Sequence, residues 1–289
     1  MKNCYINGVG CISSQNTFET EFLSDIKIND SENVLFAVQP SYKEFIPPAA
    51  IRRMAKGVKM GIAASSKALK EADVSIPDAI ITGTGMGCVE DSEKFLQAIL
   101  DNDEQFLTPT SFIQSTHNTV GGQIALGLQC KGYNFTYVNG AVSFESALLD
   151  AKMQIQNDEA STILVGGVDE TANHTLKLFK LIDIIKKEED KPYTVLNSTS
   201  KGIVFSEGAS FFVLSNKKAE SSYAKIDAIS MKNELQQNQV ADFITKLHAI
   251  CVQCGHLANI SYRTSDEEGT VVLGEKNNYE PRCRVCASK

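Results

Sequence analysis

The sequence predicts a layered α/β domain followed by a small metal-stapled module. Short apolar or β-branched runs alternate with helical patterns through most of the chain, the order expected of helices packed on a sheet. A strand-like run, a tight turn and a helix follow one another from Gly132 to Ala151. Four of the eight cysteines fall into two C-x-x-C pairs within the last 39 residues.

Composition narrows the class. The 289 residues, 43% hydrophobic and 22% charged, suffice for one large core or a large and a small one. The start, Met1 to Gly8, lacks a long apolar segment, and no run of about 18 apolar residues occurs, so secretion and membrane spanning both lack support. The expected location is cytoplasmic. A formal net charge of −7 argues against a nucleic-acid surface, because phosphate contact needs clustered Lys and Arg. Cys4, Cys11, Cys88 and Cys130 lie in apolar or glycine-rich segments and read as small core thiols.

Taken in order, Tyr5 to Ile12 reads as a first strand running into a glycine turn at Gly8-Val9-Gly10. Pro47-Pro48 precedes a long helical pattern, Ile51 to Ala72, with apolar residues at Ile51, Met54, Val58, Ile62 and Leu69. Ala79-Ile80-Ile81-Thr82 is a buried-type strand ending in Gly83-Thr84-Gly85-Met86-Gly87. That glycine loop lacks the third spacing of a dinucleotide fingerprint, and no partner acid follows at the right place. A helix near Ser92 to Leu100 leads to a polar, glycine-bearing loop, Thr110 to Gly122, in which His117 reads as a hydrogen-bonding residue rather than a catalytic one. Ser161 to Val165 is a strand with Gly166 to Glu170 as its turn, and Gly202 to Leu214 reads as two strands around a glycine turn.

In the central stretch, Tyr133 to Val138 is the strand, Asn139-Gly140-Ala141 the turn and Ser143 to Ala151 the helix. Such a turn sets a side chain on the positive end of a helix dipole, where a nucleophile is activated. Here that position is an alanine.

Residues 1–235 resemble the N-terminal half of the β-ketoacyl synthases, the thiolase-like family that condenses acyl units carried on acyl carrier protein. The resemblance rests on Gly8-Val9-Gly10, the central strand-turn-helix, Val165 to Glu170, and Gly202-Ile203-Val204-Phe205-Ser206-Glu207-Gly208-Ala209, with Ser206 where glycine is usual. It implies a thiolase-like half, a layered α/β unit with a mixed sheet. It also puts Ala141 at the position of the active cysteine, and an alanine methyl cannot form a thioester. Neither Cys88 nor Cys130 sits at that turn. The two histidines and the lysine that the family draws from its C-terminal half are not found, and no H-G-T occurs. The expectation is therefore no catalytic residue, and a role like that of a chain-length factor in fatty-acid or polyketide biosynthesis. The implied partners are an active ketosynthase and acyl carrier protein, the implied assembly is a dimer, and Phe112, Ile113, Thr116, His117 and Phe144 would face the partner or its tunnel.

Cys251-Val252-Gln253-Cys254 and Cys283-Arg284-Val285-Cys286 can close a tetrahedral Zn²⁺ site around the 28 residues between them. Four protein ligands leave no open position, so the zinc is expected to be structural, in a Cys4 zinc-ribbon or lasso module. From about Asp242 onward the segment resembles the C-terminal zinc and lasso region of the type II thymidine kinases, most clearly at Tyr279-Glu280-Pro281-Arg282-Cys283-Arg284-Val285-Cys286. In that family the lasso closes over thymidine through backbone hydrogen bonds, and the matching positions are Tyr262, Val271, Val272, Gly274 and Tyr279. No G-x-x-x-x-G-K-[ST] occurs to hold ATP, so a thymidine-kinase relative without turnover is an alternative reading. A chimeric chain without function is another. The expected division is 1–235, a junction at 236–242, and 243–289.

Overall fold

A computed structural model describes residues 2–20, 26–194 and 198–231, and the backbone of two strands at 260–263 and 279–282. The strands are β1 (Tyr5–Ile12), β2 (Val34–Leu35), β3 (Ala79–Gly83), β4 (Tyr133–Tyr137), β5 (Thr162–Asp169), β6 (Phe205–Ser206), β7 (Gly208–Ser215), β8 (Ala224–Lys225), β9 (Ile260–Arg263) and β10 (Tyr279–Arg282). The helices are α1 (Pro48–Ile51), α2 (Lys56–Glu71), α3 (Val89–Asp101), α4 (Pro109–Ser115), α5 (Thr119–Leu128), α6 (Ser143–Gln156) and α7 (Asn173–Leu181).

Six strands form one mixed sheet in the order β4-β3-β5-β7-β1-β8. β3 pairs in parallel with β4 and β5, whereas β7 runs antiparallel to both β5 and β1. Helices α2 and α5 cover one face and α6 the other, giving three layers with a core on each side of the sheet. β3 is buried along its whole length, as a strand covered on both faces must be, and its Ala-Ile-Ile-Thr-Gly run is apolar for that reason. Phe211 is fully buried on the α2 side, and Ile81, Ile155, Ile163 and Leu214 are fully buried on the α6 side.

The glycines read as turns are strand residues. β1 continues through Gly8 and Gly10, with a register shift against β7 between Ile6 and Gly8, and a Cβ at the two glycines would come within 2.2 Å of Ala68 O and 2.0 Å of Ala64 O. Their bare backbone lets α2 lie directly on the sheet. β5 likewise continues through Gly166 and Gly167. A Cβ at Gly166 would meet the Phe211 ring at 2.3 Å, and one at Gly167 would meet Gly83 O at 2.5 Å. Gly208 does not close a hairpin either, since β6 pairs with β2 while β7 joins the main sheet.

Two helical expectations also change. The pattern expected over Ile51 to Ala72 is two helices, broken where Ala55 takes an extended conformation (φ −55°, ψ 152°) and donates its N–H to Gln114 Oε1 at 3.1 Å. The supposed loop from Thr110 to Gly122 is mostly helical, with α4 opened by Pro109 and α5 burying Val120 and Ile124. Its polar residues hid the apolar period.

The paired strands β9 and β10 are antiparallel, with Ile260 opposite Arg282 and Arg263 opposite Tyr279. Expectations for Cys251, Cys254, Cys283, Cys286, Val271, Val272 and Gly274, and for the junction at 236–242, lie outside the described residues, as do the side chains of Tyr262 and Tyr279.

Close packing at Gly10 yields a paired test. Gly10→Ala forces a methyl onto the Ala64 carbonyl and is expected to destabilise the chain by at least the 1–3 kcal/mol typical of overpacking. Gly122→Ala, in α5 with nothing within 4 Å of its Cβ, is expected to gain up to about 1 kcal/mol. Urea unfolding midpoints of the two variants should move in opposite directions.

Candidate functional site

The parallel strands β3, β4 and β5 end on the same edge of the sheet, the place where open α/β sheets bring loops together. Three segments meet there: the glycine loop Thr84 to Gly87, the turn Asn139 to Val142 at the head of α6, and Asp169-Glu170-Thr171 after β5.

Two adjacent carboxylates organise this edge. Asp169 Oδ1 accepts the Gly85 N–H at 3.0 Å and the Met86 N–H at 2.9 Å, and lies 2.7 Å from Thr84 Oγ1. Thr84 Oγ1 in turn accepts the Gly87 N–H at 2.8 Å. The glycine loop, which lacks the dinucleotide fingerprint, is thus filled by the protein's own carboxylate. Its glycines keep this loop slim, and Gly87 has φ +68°, a conformation that suits a residue without Cβ.

Glu170, 1% exposed, accepts the Gly57 N–H at 2.6 Å through Oε2 and the Glu90 N–H at 2.9 Å through Oε1. Those are N–H groups in the first turns of α2 and α3, so one carboxylate caps two helices. Burial pushes its pKa up to about 7, and the two backbone hydrogen bonds and Lys56 counter this only in part. Glu207, also buried, accepts from Ala37 N, Thr171 N, Thr171 Oγ1 and Lys56 Nζ, the last at 2.7 Å. Burial raises its pKa as well, but the Lys56 and Thr171 hydrogen bonds outweigh it and the net shift is downward. The sequence had marked these residues as motif text around glycines, and their roles as caps went unread. The available signal was a pair of acids directly after an apolar β-branched run.

The turn before α6 is a single 3-10 turn, Gly140–Val142, with Gly140 at φ +56°. The Asn139 N–H donates to Ser143 Oγ at 2.9 Å, and Ser143 Oγ donates to Gly140 O at 2.7 Å. The head of α6 rests on bare backbone, since a Cβ at Gly83 would lie 2.4 Å from Ser143 O. Ala141 is exposed on this turn. Cys88 is buried and its thiol is held in the protonated form by burial and by Glu170, which suits a core residue and not a thiolate nucleophile. Cys4 is similar, pushed up to about 12 by burial. Cys11 and Cys130 are half-buried.

The other residues singled out in the sequence divide between surface and interior. His117 is exposed at the corner between α4 and α5 and packs against Gly87, whose Cβ would stand 3.4 Å from His117 Cα. Phe112 and Ile113 are exposed on α4, with Phe112 against Phe95 at 5.2 Å between centroids. Thr116 is half-buried and donates to Ile113 O. Phe144 lies between α6 and the sheet, its ring 5.8 Å from that of Phe212.

This three-layer arrangement, with a turn and two capping acids at the ends of its parallel strands, is that of a thiolase-like α/β domain. Residues 28–220 match the family model of the β-ketoacyl synthase N-terminal domain, and the chain belongs to that family. Similar folds include a β-ketoacyl synthase from Burkholderia phymatum STM815, with TM-score 0.58, 18% identity, and 74% of this chain and 59% of that one covered. The ishigamide ketosynthase/chain length factor has TM-score 0.56 and 20% identity over 74% of this chain and 58% of its own. A ketosynthase in complex with its chain length factor, from Xenorhabdus doucetiae, has TM-score 0.58 and 13% identity, with 75% and 59% covered. Residues 228–287 match a thymidine kinase model. There the chain is 64% identical over 47 residues to a thymidine kinase of Rhodothermus sp. (strain ITI 518), 16% of this chain and 22% of that one. It is 50% identical over 50 residues to a thymidine kinase of Porphyromonas gingivalis (strain ATCC 33277), with 17% and 24% covered. The chain spans about a quarter of the length of these curated relatives and under two thirds of the similar structures.

The buried Glu170 sets a pH dependence. Its pKa is higher in the folded chain (about 7) than the ordinary 4.5, so folding takes up a proton across that window. Its contribution to stability is therefore fully present below pH 4.5 and falls as pH rises to about 7, by about 3 kcal/mol in all. Glu170→Gln cannot titrate and is expected to lose this component. Urea midpoints of both proteins at pH 5 and pH 7.5 check it: the parent should lose more stability than the variant over that interval.

Proposed function

We propose that the chain is a non-catalytic ketosynthase-like subunit that acts by associating with an active ketosynthase and its acyl carrier protein. One observation carries this reading: the turn that opens α6, at the meeting point of the three parallel strands, presents the methyl of Ala141. With neither thiol nor hydroxyl at that side chain, the turn can shape or cover a neighbouring acyl site but cannot be acylated. A docking surface is available. β4 ends the sheet, and its Tyr133 and Phe135 stack in parallel at 6.0 Å while both remain nearly half exposed. An exposed strand edge flanked by aromatic rings favours pairing with a second chain, and a dimer with the ketosynthase fits it. Similar structures that are ketosynthases in complex with a chain length factor or a carrier protein support the choice of partner. A cytoplasmic location fits these partners, and among the described residues no helix is long and apolar enough to cross a membrane.

Co-expression with a type II ketosynthase and its carrier protein should yield a complex that co-purifies at near-equal stoichiometry. Retention of neither partner would sink the reading. Thymidine binding without phosphoryl transfer would instead favour the second reading, a nucleoside-binding lasso, for which the identity at the C-terminal end speaks.

The C-terminal module is read as a structural zinc site held by Cys251, Cys254, Cys283 and Cys286. The pairing of Ile260 with Arg282 supports it, because Cys283 directly follows Arg282 and Cys254 precedes Ile260 by six residues. β9 therefore begins and β10 ends at the same end of the ladder, and the two C-x-x-C pairs flank that end in the sequence. Zinc bound there would cross-link the two segments and supply no chemistry. Metal analysis should find one zinc per chain in the parent and a clear loss in Cys283→Ser.

A further inference from the structure

Lys186 is buried, 4% exposed, at the end of the parallel bridge between Ile185 and Ile203. Its backbone is fixed on both sides: its N–H donates to Ile203 O at 3.0 Å, and its carbonyl accepts from Asn33 Nδ2 at 2.7 Å. Gly202 (φ +83°) brings the neighbouring segment so close that a Cβ there would lie 2.9 Å from Lys186 N. The ammonium spends its three donors on serine oxygens: Ser198 Oγ at 2.6 Å, Ser200 Oγ at 2.6 Å and Ser200 O at 3.1 Å.

A buried lysine is usually met by a carboxylate. Among the described residues no carboxylate lies within 4 Å of this ammonium, and the nearby acids Asp183 and Glu188 pair with Lys187 and Lys191 instead. Its charge is therefore held by neutral oxygens alone, and those oxygens lead to solvent, with Ser198 exposed and Ser200 half-buried. A hydroxyl that accepts from an ammonium still has its own proton to give. Inside the cluster the two protons meet only distant acceptors. The hydroxyls are 3.3 Å apart and Ser198 Oγ is 3.5 Å from Ser200 O, against about 2.8 Å for a normal O–H···O bond. Two O–H donors, polarised by a positive charge behind them, are thus available to an acceptor arriving from solvent.

We infer that Ser198 and Ser200 form a binding site for a phosphate group, with Lys186 supplying the charge from behind. The two hydroxyls donate to oxygens of one tetrahedral anion, and Lys186 keeps its own three bonds. A doubly charged phosphate suits the site better than a carboxylate, because attraction to an ammonium without a countercharge grows with the charge of the ligand. The site shares no residue with the turn at Ala141, so it stands whether or not the chain partners a ketosynthase.

Titration of the full ¹⁵N-labelled chain with inorganic phosphate, phenyl phosphate or acetate, followed by NMR at the amides of residues 198–200, tests it. Both phosphates should shift these amides saturably, and acetate should bind more weakly. Ser198→Ala should weaken phosphate binding about tenfold or more, the scale of one lost hydrogen bond to a charged group. Lys186→Met keeps the serines but removes the charge and should abolish saturation. Should Lys186→Met not fold, Ser198→Ala combined with Ser200→Ala leaves the lysine in place and should abolish it equally. Tighter binding of phenyl phosphate assigns the site to a phosphate ester on a larger molecule, and tighter binding of inorganic phosphate to the free ion. No saturable shift with either phosphate, equal affinity for acetate, or parent-like affinity in the serine variants would overturn the inference.

Discussion

The domain depends on one buried carboxylate that ends two helices at once. Glu170 takes an N–H from the first turn of α2 and another from the first turn of α3, while the adjacent Asp169 takes the N–H groups of the glycine loop. β5 therefore does more than fill the sheet: its last residues set where α2 begins, where α3 begins and how the loop between β3 and α3 turns. Helix N-termini leave N–H groups without partners, and one acid placed between two of them satisfies both sets. Its burial raises the energy of the charge, which is why its pKa stands well above the ordinary value despite two strong donors.

The same constraint explains the break before α2. A helix continuous from Ile51 would carry intrahelical hydrogen bonds through Ala55 and Gly57, whereas the Glu170 and Gln114 side chains take those two N–H groups instead. The glycines act with it. Gly8 and Gly10 under α2, and Gly83 under α6, let both helices approach strand backbone, so the acids reach their targets without long loops. The layers are held at that distance by steric necessity as much as by apolar burial.

Much of the domain was legible in the sequence. β3, β4, α6 and the exposed turn carrying Ala141 were readable because apolar runs of strand length are bounded by glycine or asparagine, and α6 carries its own period. Family membership was legible too, through the order of short motifs along the chain. The misread segments share a cause. Gly8, Gly10, Gly166 and Gly167 look like turn residues in one dimension, and only the facing helix or the Phe211 ring tells why glycine stands there. Thr110 to Gly122 looked like a loop because three of its buried positions, Gln114, Thr119 and Gly121, are polar or small and Val120 stands alone among them.

What the sequence alone determined is chemical: an alanine in the turn that opens α6, two C-x-x-C pairs, and a β-ketoacyl synthase-like order of elements. Those are matters of residue identity and local period, which a chain carries whatever its fold. The tertiary structure decided which acids cap which helices, which glycines are contacts rather than turns, and that Lys186 ends among serines. Glu170 meets Gly57 across 113 positions, and no local pattern encodes a partner so distant. Only packing, by bringing the ends of β5, α2 and α3 to one point, gives that carboxylate its task.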